Sequence, residues 1–206
     1  MLSLFALIVL LIPMLIIAVI VKLTSPGSVL YKQERLGKDG VSFEIIKFRS
    51  MYADAENNGA QWFDGENDER ITPFGKFLRR TRMDELPQFA QILTGKMSLV
   101  GPRPERECFY EKFETYIHGF SERLKVKPGL TGLAQVSGGY DLRPEEKVVY
   151  DIEYIKKRSL WLDLKCILLT VRIIFSHNGA RQMTGGILGG TTASVKLHLI
   201  KGNLNF

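Results

Sequence analysis

The sequence predicts an α/β fold: a helix-rich, membrane-associated domain with a small sheet or hairpin, led by an apolar helix that contains a proline. Three observations carry this prediction. Residues 1–21 have no charged side chain, residues 29–48 hold two short strand-like runs, and many of the remaining apolar residues recur at helical spacing. A chain of 206 residues can form one domain with a real hydrophobic core.

The N-terminal segment, residues 1–23, is predicted to be embedded in a membrane. Its apolar stretch would form a helix of roughly 30 Å at about 1.5 Å per residue, enough to cross a bilayer. It lacks the basic start and the cleavage site of a signal peptide. Pro13 removes a backbone donor and should kink the helix at its midpoint. Such a helix can span the bilayer or re-enter on one face, and Lys22, Lys32 and Arg35 favour the cytoplasm for the downstream side.

A hairpin and a capped helix are predicted next. Strands through Val29–Lys32 and Phe43–Phe48 flank a turn at Lys38–Gly40. Thr72 is a typical N-cap residue, and Pro73 suits the first helical position. The polar stretch between the hairpin and this helix is predicted to be a surface loop.

Three further helices are predicted in the rest of the chain. Apolar spacing over residues 86–93 predicts a helix that begins at or near Asp84. Residues 125–144 are punctuated by glycine and proline and predict a long loop, followed by an amphipathic helix over residues 145–158. The apolar residues 160–175 predict a helix that either joins the core or lies in the membrane interface.

The charge balance indicates a phosphate-bearing partner. The formal net charge is +6, and the basic residues all follow the apolar segment. For a basic domain beside a membrane, anionic lipid headgroups or phosphate-bearing substrates are the natural partners. A nucleic-acid binder is disfavoured because the chain shows no basic stripe with interleaved aromatics and no reader motif. Cys108 and Cys166 are far apart, which indicates reduced thiols rather than a disulfide or zinc framework.

The stretch RRTRMDELPQF contains the strongest candidate for chemistry, the adjacent carboxylates Asp84 and Glu85. Near a helix N-terminus the commonest role of an aspartate is capping. The neighbouring arginines, among them Arg79, supply more positive charge than one cap needs, and arginine suits bidentate phosphate contacts. Arg103 lies between two prolines that restrict its backbone, and Lys47 lies on a predicted strand.

These residues together suggest a carboxylate among phosphate-binding cations. Such a carboxylate can attack a phosphorus as a nucleophile if cations and a divalent metal screen its charge. Adjacent residues in a helix point about 100° apart. One carboxylate can therefore attack while the other holds a metal or a proton.

A set of ordered motifs resembles a known family. YKQERLGKDG, FEIIKFRSM, RRTRMDELPQ, SLVGPRP and KPGLTGLAQVSGGY, behind a kinked apolar helix, resemble the bacterial sugar transferases, also called monotopic phosphoglycosyl transferases. The resemblance implies that Asp84 attacks the β-phosphate of a UDP-sugar, releases UMP and carries a sugar-phosphate ester. A polyprenyl phosphate, usually undecaprenyl phosphate, then accepts that group. It also implies that Glu85 is the second dyad member and that Mg²⁺, bound by the dyad, is required.

The resemblance also assigns substrate-binding residues. Lys47, Arg79 and Arg103 match positions that bind phosphate or organise the site. Gln88 and Gln135 complete the predicted substrate-binding set.

The resemblance, which covers about residues 4–181, implies a re-entrant membrane helix kinked at Pro13 (residues 1–23) and a catalytic domain on the cytoplasmic face of the bacterial inner membrane (24–181). The Gly- and Thr-rich tail (182–206) matches no part of the family and is predicted to be mobile or artefactual. The expected role is the first membrane step of exopolysaccharide, capsule, O-antigen or glycoprotein glycan assembly, and a homodimer is left open. The rival hypothesis is a non-catalytic membrane-bound module that binds phosphate-bearing lipid.

Overall fold

The computed structural model of the protein describes residues 2–56, 68–138 and 142–175. These residues form a helix-rich structure with two small sheets, which confirms the predicted fold class in its coarse form. In chain order the helices and strands are α1 (Leu2–Thr24), β1 (Leu30–Leu36), β2 (Ser42–Phe48), α2 (Pro73–Thr81), α3 (Gln88–Leu93), β3 (Ser98–Val100), α4 (Glu107–Glu114), β4 (Gly129–Thr131), α5 (Leu133–Ser137), α6 (Pro144–Lys157) and α7 (Leu160–Phe175). The predicted tail, residues 182–206, lies outside the described residues.

The chain divides into two compact units. The first contains the residues up to Arg35 and Ser42–Met97. The second contains Leu36–Val41 and the residues from Ser98 onward.

The first unit is built on the predicted hairpin. Strands β1 and β2 pair as neighbours on either side of the turn Lys38–Gly40. The core of this unit packs Ile17 and Val21 of α1 against Phe48 and Leu78, all nearly inaccessible to solvent. Since burying one such side chain contributes about 1.5–3 kcal/mol, this cluster attaches the second half of α1 firmly to the unit.

Helix α1 is continuous through Pro13. Residues 6–24 are long and apolar enough to cross a membrane. One stripe of the helix packs on the core, whereas the rest of its surface exposes large apolar side chains: Ile8, Val9, Leu11, Ile12, Leu15, Ile16, Val19 and Leu23. A core helix of a soluble protein would bury or replace these residues, so this surface suits an apolar surrounding.

Helix α2 begins as predicted. The Thr72 side chain accepts a hydrogen bond from the Gly75 N–H at 2.9 Å, and Pro73 occupies the first helical position. This N-cap pairs one of the backbone donors that every helix start leaves without an intrahelical partner.

In the second unit β4 pairs in parallel with β3, and both β4 and α5 lie in residues 125–144, which were predicted to be a loop. In β3 and β4, Ser98 lies opposite Gly129 and Val100 opposite Thr131. The prediction was wrong because the glycines here serve close backbone packing: a Cβ on Gly129 would lie 2.1 Å from the Gly101 nitrogen. Glycine therefore marks a close approach of two backbones at this point rather than a flexible loop.

Helix α7 joins the core of the second unit through one face. Cys166 is fully buried there, together with Val100, Val136 and Tyr154. The opposite face exposes a stripe of apolar side chains: Leu160, Trp161, Leu164, Leu168, Val171 and Phe175. The helix thus joins the core, one of the two predicted alternatives, and also carries an exposed apolar stripe that suits an apolar surrounding.

Candidate active site

The two carboxylates of the dyad lie in a tight turn between two helices. Asp84 and Glu85 belong to the 3-10 turn Met83–Glu85, and the N-cap position of α3 is Pro87. Asp84 is therefore near the start of α3, but it is not the cap of that helix. The chain enters the turn through Arg82, whose left-handed backbone (φ 56°) ends α2 abruptly.

Both carboxylates are buried, and Lys47 is the charge partner of the dyad. Asp84 is 7% exposed and Glu85 is 3% exposed. The Lys47 Nζ donates to Glu85 Oε1 at 2.9 Å. The structure thus places this predicted phosphate-binding residue beside the dyad, where it neutralises one of two adjacent negative charges.

Gln91 of α3 fixes the strand that carries Lys47. Its side-chain oxygen accepts from the Ile46 N–H at 3.0 Å, and its side-chain nitrogen donates to the Glu44 carbonyl oxygen. Since Gln91 and the dyad are close in sequence, these two bonds set β2 in register with the turn that bears the dyad.

The predicted arginine Arg79 lies in the last turn of α2 and is half-buried. The positive charge of Arg79 acts on Asp68, a buried carboxylate that precedes α2 in sequence. Two hydrogen bonds from Arg70, at 2.8 and 2.6 Å, lower the pKa of Asp68, and Arg79 adds a smaller lowering. Arg79 thus contributes positive charge to the same unit as the dyad.

Gln88, also predicted to bind substrate, is the first residue of α3 and is 1% exposed. Its amide nitrogen Nε2 finds no hydrogen-bond partner among the described residues. A buried donor left without a partner costs free energy. This group is therefore suited to a polar partner that the described residues do not provide.

The dyad fits a magnesium ion as part of a ligand set. The described ranges contain no cluster of three or more His, Cys, Asp or Glu side chains that could hold a metal. Mg²⁺ commonly takes one or two protein carboxylates and completes its shell with water and substrate phosphates. Asp84 and Glu85 supply that minimum, so their chemistry fits an ion that binds together with a diphosphate.

Arg103 lies in the second unit, and its loop is fixed by backbone hydrogen bonds. The Gly101 N–H donates to the Thr131 carbonyl at 2.8 Å, and the Gly129 N–H donates to the Pro102 carbonyl at 2.9 Å. The side chain of Arg103 is half-buried. These bonds tie the proline-flanked segment to β4.

Gln135 lies on α5 of the same unit and is 6% exposed. Neither its amide nitrogen nor its amide oxygen has a hydrogen-bond partner in the part of the chain that the structure describes. Gly132 lies between the Gln135 side chain and the backbone of Gly101. A Cβ on Gly132 would be 2.7 Å from Gln135 Oε1 and 2.1 Å from the Gly101 carbonyl oxygen. The structure therefore brings Gln135 beside the loop that carries Arg103.

The second unit also contains a buried ion pair that was not predicted from the sequence. Arg123 and Asp151 are 2% and 1% exposed, and Arg123 Nε donates to Asp151 Oδ2 at 2.7 Å. No local pattern marks them, because they lie 28 residues apart and each has ordinary charged neighbours in sequence.

Comparison with known proteins identifies relatives of the chain. The model of the family described as bacterial sugar transferase matches residues 1–177. The UDP-N-acetylgalactosamine-undecaprenyl-phosphate N-acetylgalactosaminephosphotransferase of Aeromonas hydrophila is 46% identical over 171 residues, 82% of this chain and 40% of its own. The UDP-glucose:undecaprenyl-phosphate glucose-1-phosphate transferase of Escherichia coli (strain K12) is 47% identical over 160 residues, 75% of this chain and 34% of its own.

A third relative is the galactosyl transferase CpsE of Streptococcus agalactiae serotype III (strain NEM316), 41% identical over 166 residues, 75% of this chain and 36% of its own. The chain thus spans between 34% and 40% of the length of these curated relatives. Since the family model matches most of its length, the chain belongs to the bacterial sugar transferase family.

Proposed function

We propose that the protein transfers a sugar-1-phosphate from a UDP-sugar to undecaprenyl phosphate and releases UMP. Two of the relatives are undecaprenyl-phosphate sugar transferases by name, one for N-acetylgalactosamine and one for glucose. The observation that carries the proposal is the buried dyad Asp84–Glu85, with the Lys47 ammonium 2.9 Å from Glu85.

The reaction would run in two displacements at one phosphorus. In the first, a carboxylate oxygen of Asp84 bonds to the β-phosphorus while the bond from that phosphorus to the oxygen bridging the α-phosphate breaks, and UMP leaves with the electron pair. In the second, a phosphate oxygen of undecaprenyl phosphate bonds to the same phosphorus, and the Asp84 oxygen leaves as the carboxylate. Splitting the transfer in this way lets one nucleophile serve two bulky, anionic substrates in turn.

The surrounding residues would supply charge and orientation. Lys47 holds Glu85 at 2.9 Å and reduces the repulsion between the dyad and an approaching diphosphate. Magnesium bound by Asp84 and Glu85 would supply further neutralisation of the diphosphate charge. Arg79 and Arg103 are assigned to phosphate contacts, as the resemblance implies. Gln88 and Gln135 are assigned to substrate because their buried amides carry unsatisfied polar atoms: Nε2 in Gln88, and both Nε2 and Oε1 in Gln135.

Release of UMP from a panel of UDP-sugars, with and without undecaprenyl phosphate, tests the proposal. With a UDP-sugar alone, intact-mass spectrometry should detect a phosphosugar adduct on the protein. Asp84→Asn should abolish the adduct and lower turnover by about a thousandfold or more, since nucleophile removal costs this much in comparable enzymes. Asp39→Asn is the matched control, because Asp39 lies at an exposed left-handed turn that asparagine also accepts.

Two results would contradict the covalent mechanism or the activity itself. Full turnover by Asp84→Asn would exclude Asp84 as the nucleophile. An intact protein that releases no UMP from any UDP-sugar would favour the rival, a module that binds phosphate-bearing lipid without catalysis.

We also propose that α1 is a re-entrant membrane helix with both ends on the cytoplasmic face of the inner membrane. Its exposed apolar surface, Pro13 at mid-length and Lys22 at its end support this topology. Single cysteines at the exposed positions Leu4 and Thr24, in a cysteine-free background, should both be labelled from the cytoplasmic side by an impermeant thiol reagent. Labelling of the two positions from opposite sides would instead show a spanning helix.

A further inference from the structure

We infer that Arg123 and Asp151 form a positioning pair that fixes Arg103 for its contact with phosphate. The inference deepens the proposed function and rests on it. Arg123 is almost fully buried and its donors reach three partners. Nε donates to Asp151 Oδ2 at 2.7 Å, Nη2 donates to the Arg103 carbonyl oxygen at 2.9 Å, and Nη1 makes a longer contact of 3.5 Å with the Tyr110 hydroxyl.

A hydrogen bond to the Arg103 carbonyl oxygen can orient the Arg103 backbone. Pro104 disfavours the helical region for Arg103 and favours extended conformations. Within that region, the position of the carbonyl oxygen reports the remaining backbone dihedral, ψ. A hydrogen bond to the carbonyl therefore fixes the backbone from which the Arg103 side chain projects.

The neighbouring peptides of this loop are anchored by backbone partners. The Gly101 N–H and the Pro102 carbonyl bond to β4, and the Leu36 N–H donates to the Glu105 carbonyl at 3.0 Å. At Arg103 the partner is instead a buried side chain. The guanidinium lies 4.6 Å from the centre of the Phe120 ring, so its outer face is closed by an aromatic side chain.

Stability alone does not explain a buried ion pair. A well-packed apolar pair of the same volume is often equally or more stabilising, because two charges must be removed from water. The planar fork of arginine can reach Asp151 and a carbonyl at once, which the single ammonium of lysine does less well. The second hydrogen bond, to Arg103, is thus the feature that an apolar replacement would lose.

A double-mutant cycle between Arg123 and Arg103 tests the inference on the full-length protein. Arg123→Lys should lower the maximal rate of UMP release by about tenfold or more when Arg103 is present, since small displacements of positioning groups have effects of this size. In an Arg103→Ala background the same change should alter the rate less than about twofold, because the residue it positions is gone. An equal factor in both backgrounds would overturn the inference.

Further variants separate positioning from loss of fold. Asp151→Asn should show the same coupling to Arg103→Ala, since the neutral amide no longer holds the guanidinium as an ion pair. Ile167→Ala is the matched control, because it weakens the apolar cluster that α7 joins in the same unit and leaves the Arg123–Asp151 pair intact. At equal loss of thermal stability, the control should keep the native rate to within about twofold.

Hydrogen exchange distinguishes failure of this inference from failure of the proposed function. If the native protein releases no UMP, the proposed function fails. The loop can still be followed by amide exchange at Arg103, Glu105 and Arg106, since Pro104 has no N–H. Arg123→Lys should speed that exchange by about tenfold relative to Ile167→Ala of equal stability, whereas unchanged exchange would show that Arg123 does not hold Arg103.

Discussion

Removing the ammonium of Lys47 is the perturbation whose size follows most directly from the structure. Lys47→Met keeps a chain of similar length and removes the ammonium that lies 2.9 Å from the Glu85 carboxylate, which is only 3% exposed. Breaking a fully buried pair by removing one member costs about 3–5 kcal/mol. The Lys47 side chain is 18% exposed, so part of the attraction is already screened, and we expect a loss of about 2–3 kcal/mol.

Substitution of Lys47 and substitution of Glu85 should cost different amounts of folding free energy. Glu85→Gln leaves an ammonium that can turn toward solvent, so we expect it to cost about 1 kcal/mol or less. In the double variant both members of the pair are neutral, so neither carries a charge that has lost its opposite. Its loss should therefore fall short of the sum of the single losses by about 1 kcal/mol or more.

Thermal unfolding in detergent measures these differences. For a chain of this size each kcal/mol shifts the midpoint by about 2–4 °C, so Lys47→Met should lower it by roughly 4–12 °C. Lys32→Met is the matched control, because Lys32 pairs with Glu44 at 3.3 Å while both side chains are more than half exposed. Equal shifts for the two lysine variants, or strict additivity in the Lys47–Glu85 cycle, would refute the reasoning.

Three further predictions concern single groups. Arg70 lowers the pKa of Asp68 in the folded protein. The stability that this ion pair adds is therefore complete above the unfolded pKa of about 4, and it is lost as the pH falls through the folded pKa. Asp68→Asn should destabilise the protein at pH 7 and lose its effect in acid, which unfolding midpoints measured across pH will show. Thr72→Ala should cost about 1 kcal/mol by removing the cap of α2, measured by chemical denaturation. Burial raises the pKa of Cys166 to about 11, whereas Cys108 is exposed. A thiol reagent at pH 8 should therefore modify Cys108 alone until the protein is unfolded. Fast reaction of both thiols in the native protein would contradict this prediction.

The elements that the sequence predicted are those with a local code. The N-cap at Thr72, the proline after it and the hairpin turn at Lys38–Gly40 are each determined by a few adjacent residues, and the structure confirms them. The strand β4 was missed because its signal is not local. Gly129 takes part in a sheet only because Gly101 offers a backbone to pack against, and no window of sequence contains both.

The candidate site was predictable as a list of residue types but not as an arrangement. Asp84 and Glu85 stood out because two carboxylates follow several arginines. The sequence alone does not predict the ion pair between Lys47 and Glu85. The two residues are 38 positions apart, and their contact depends on the register that Gln91 imposes on β2. Arg123 was overlooked altogether, because a buried arginine and a solvated one look alike in sequence.

The residues assigned to chemistry lie on elements that have little stability of their own. A single 3-10 turn carries the dyad, a proline-flanked segment carries Arg103, and a five-residue helix carries Gln135. Short elements of this kind are held by what packs around them. In the first unit the support comes from an amide and an ammonium, and in the second from close-packed glycines and a buried guanidinium. If rigid placement of charged groups limits the rate, substitutions at Gln91, Gly129 and Arg123 should lower turnover although none of these three residues is assigned to substrate.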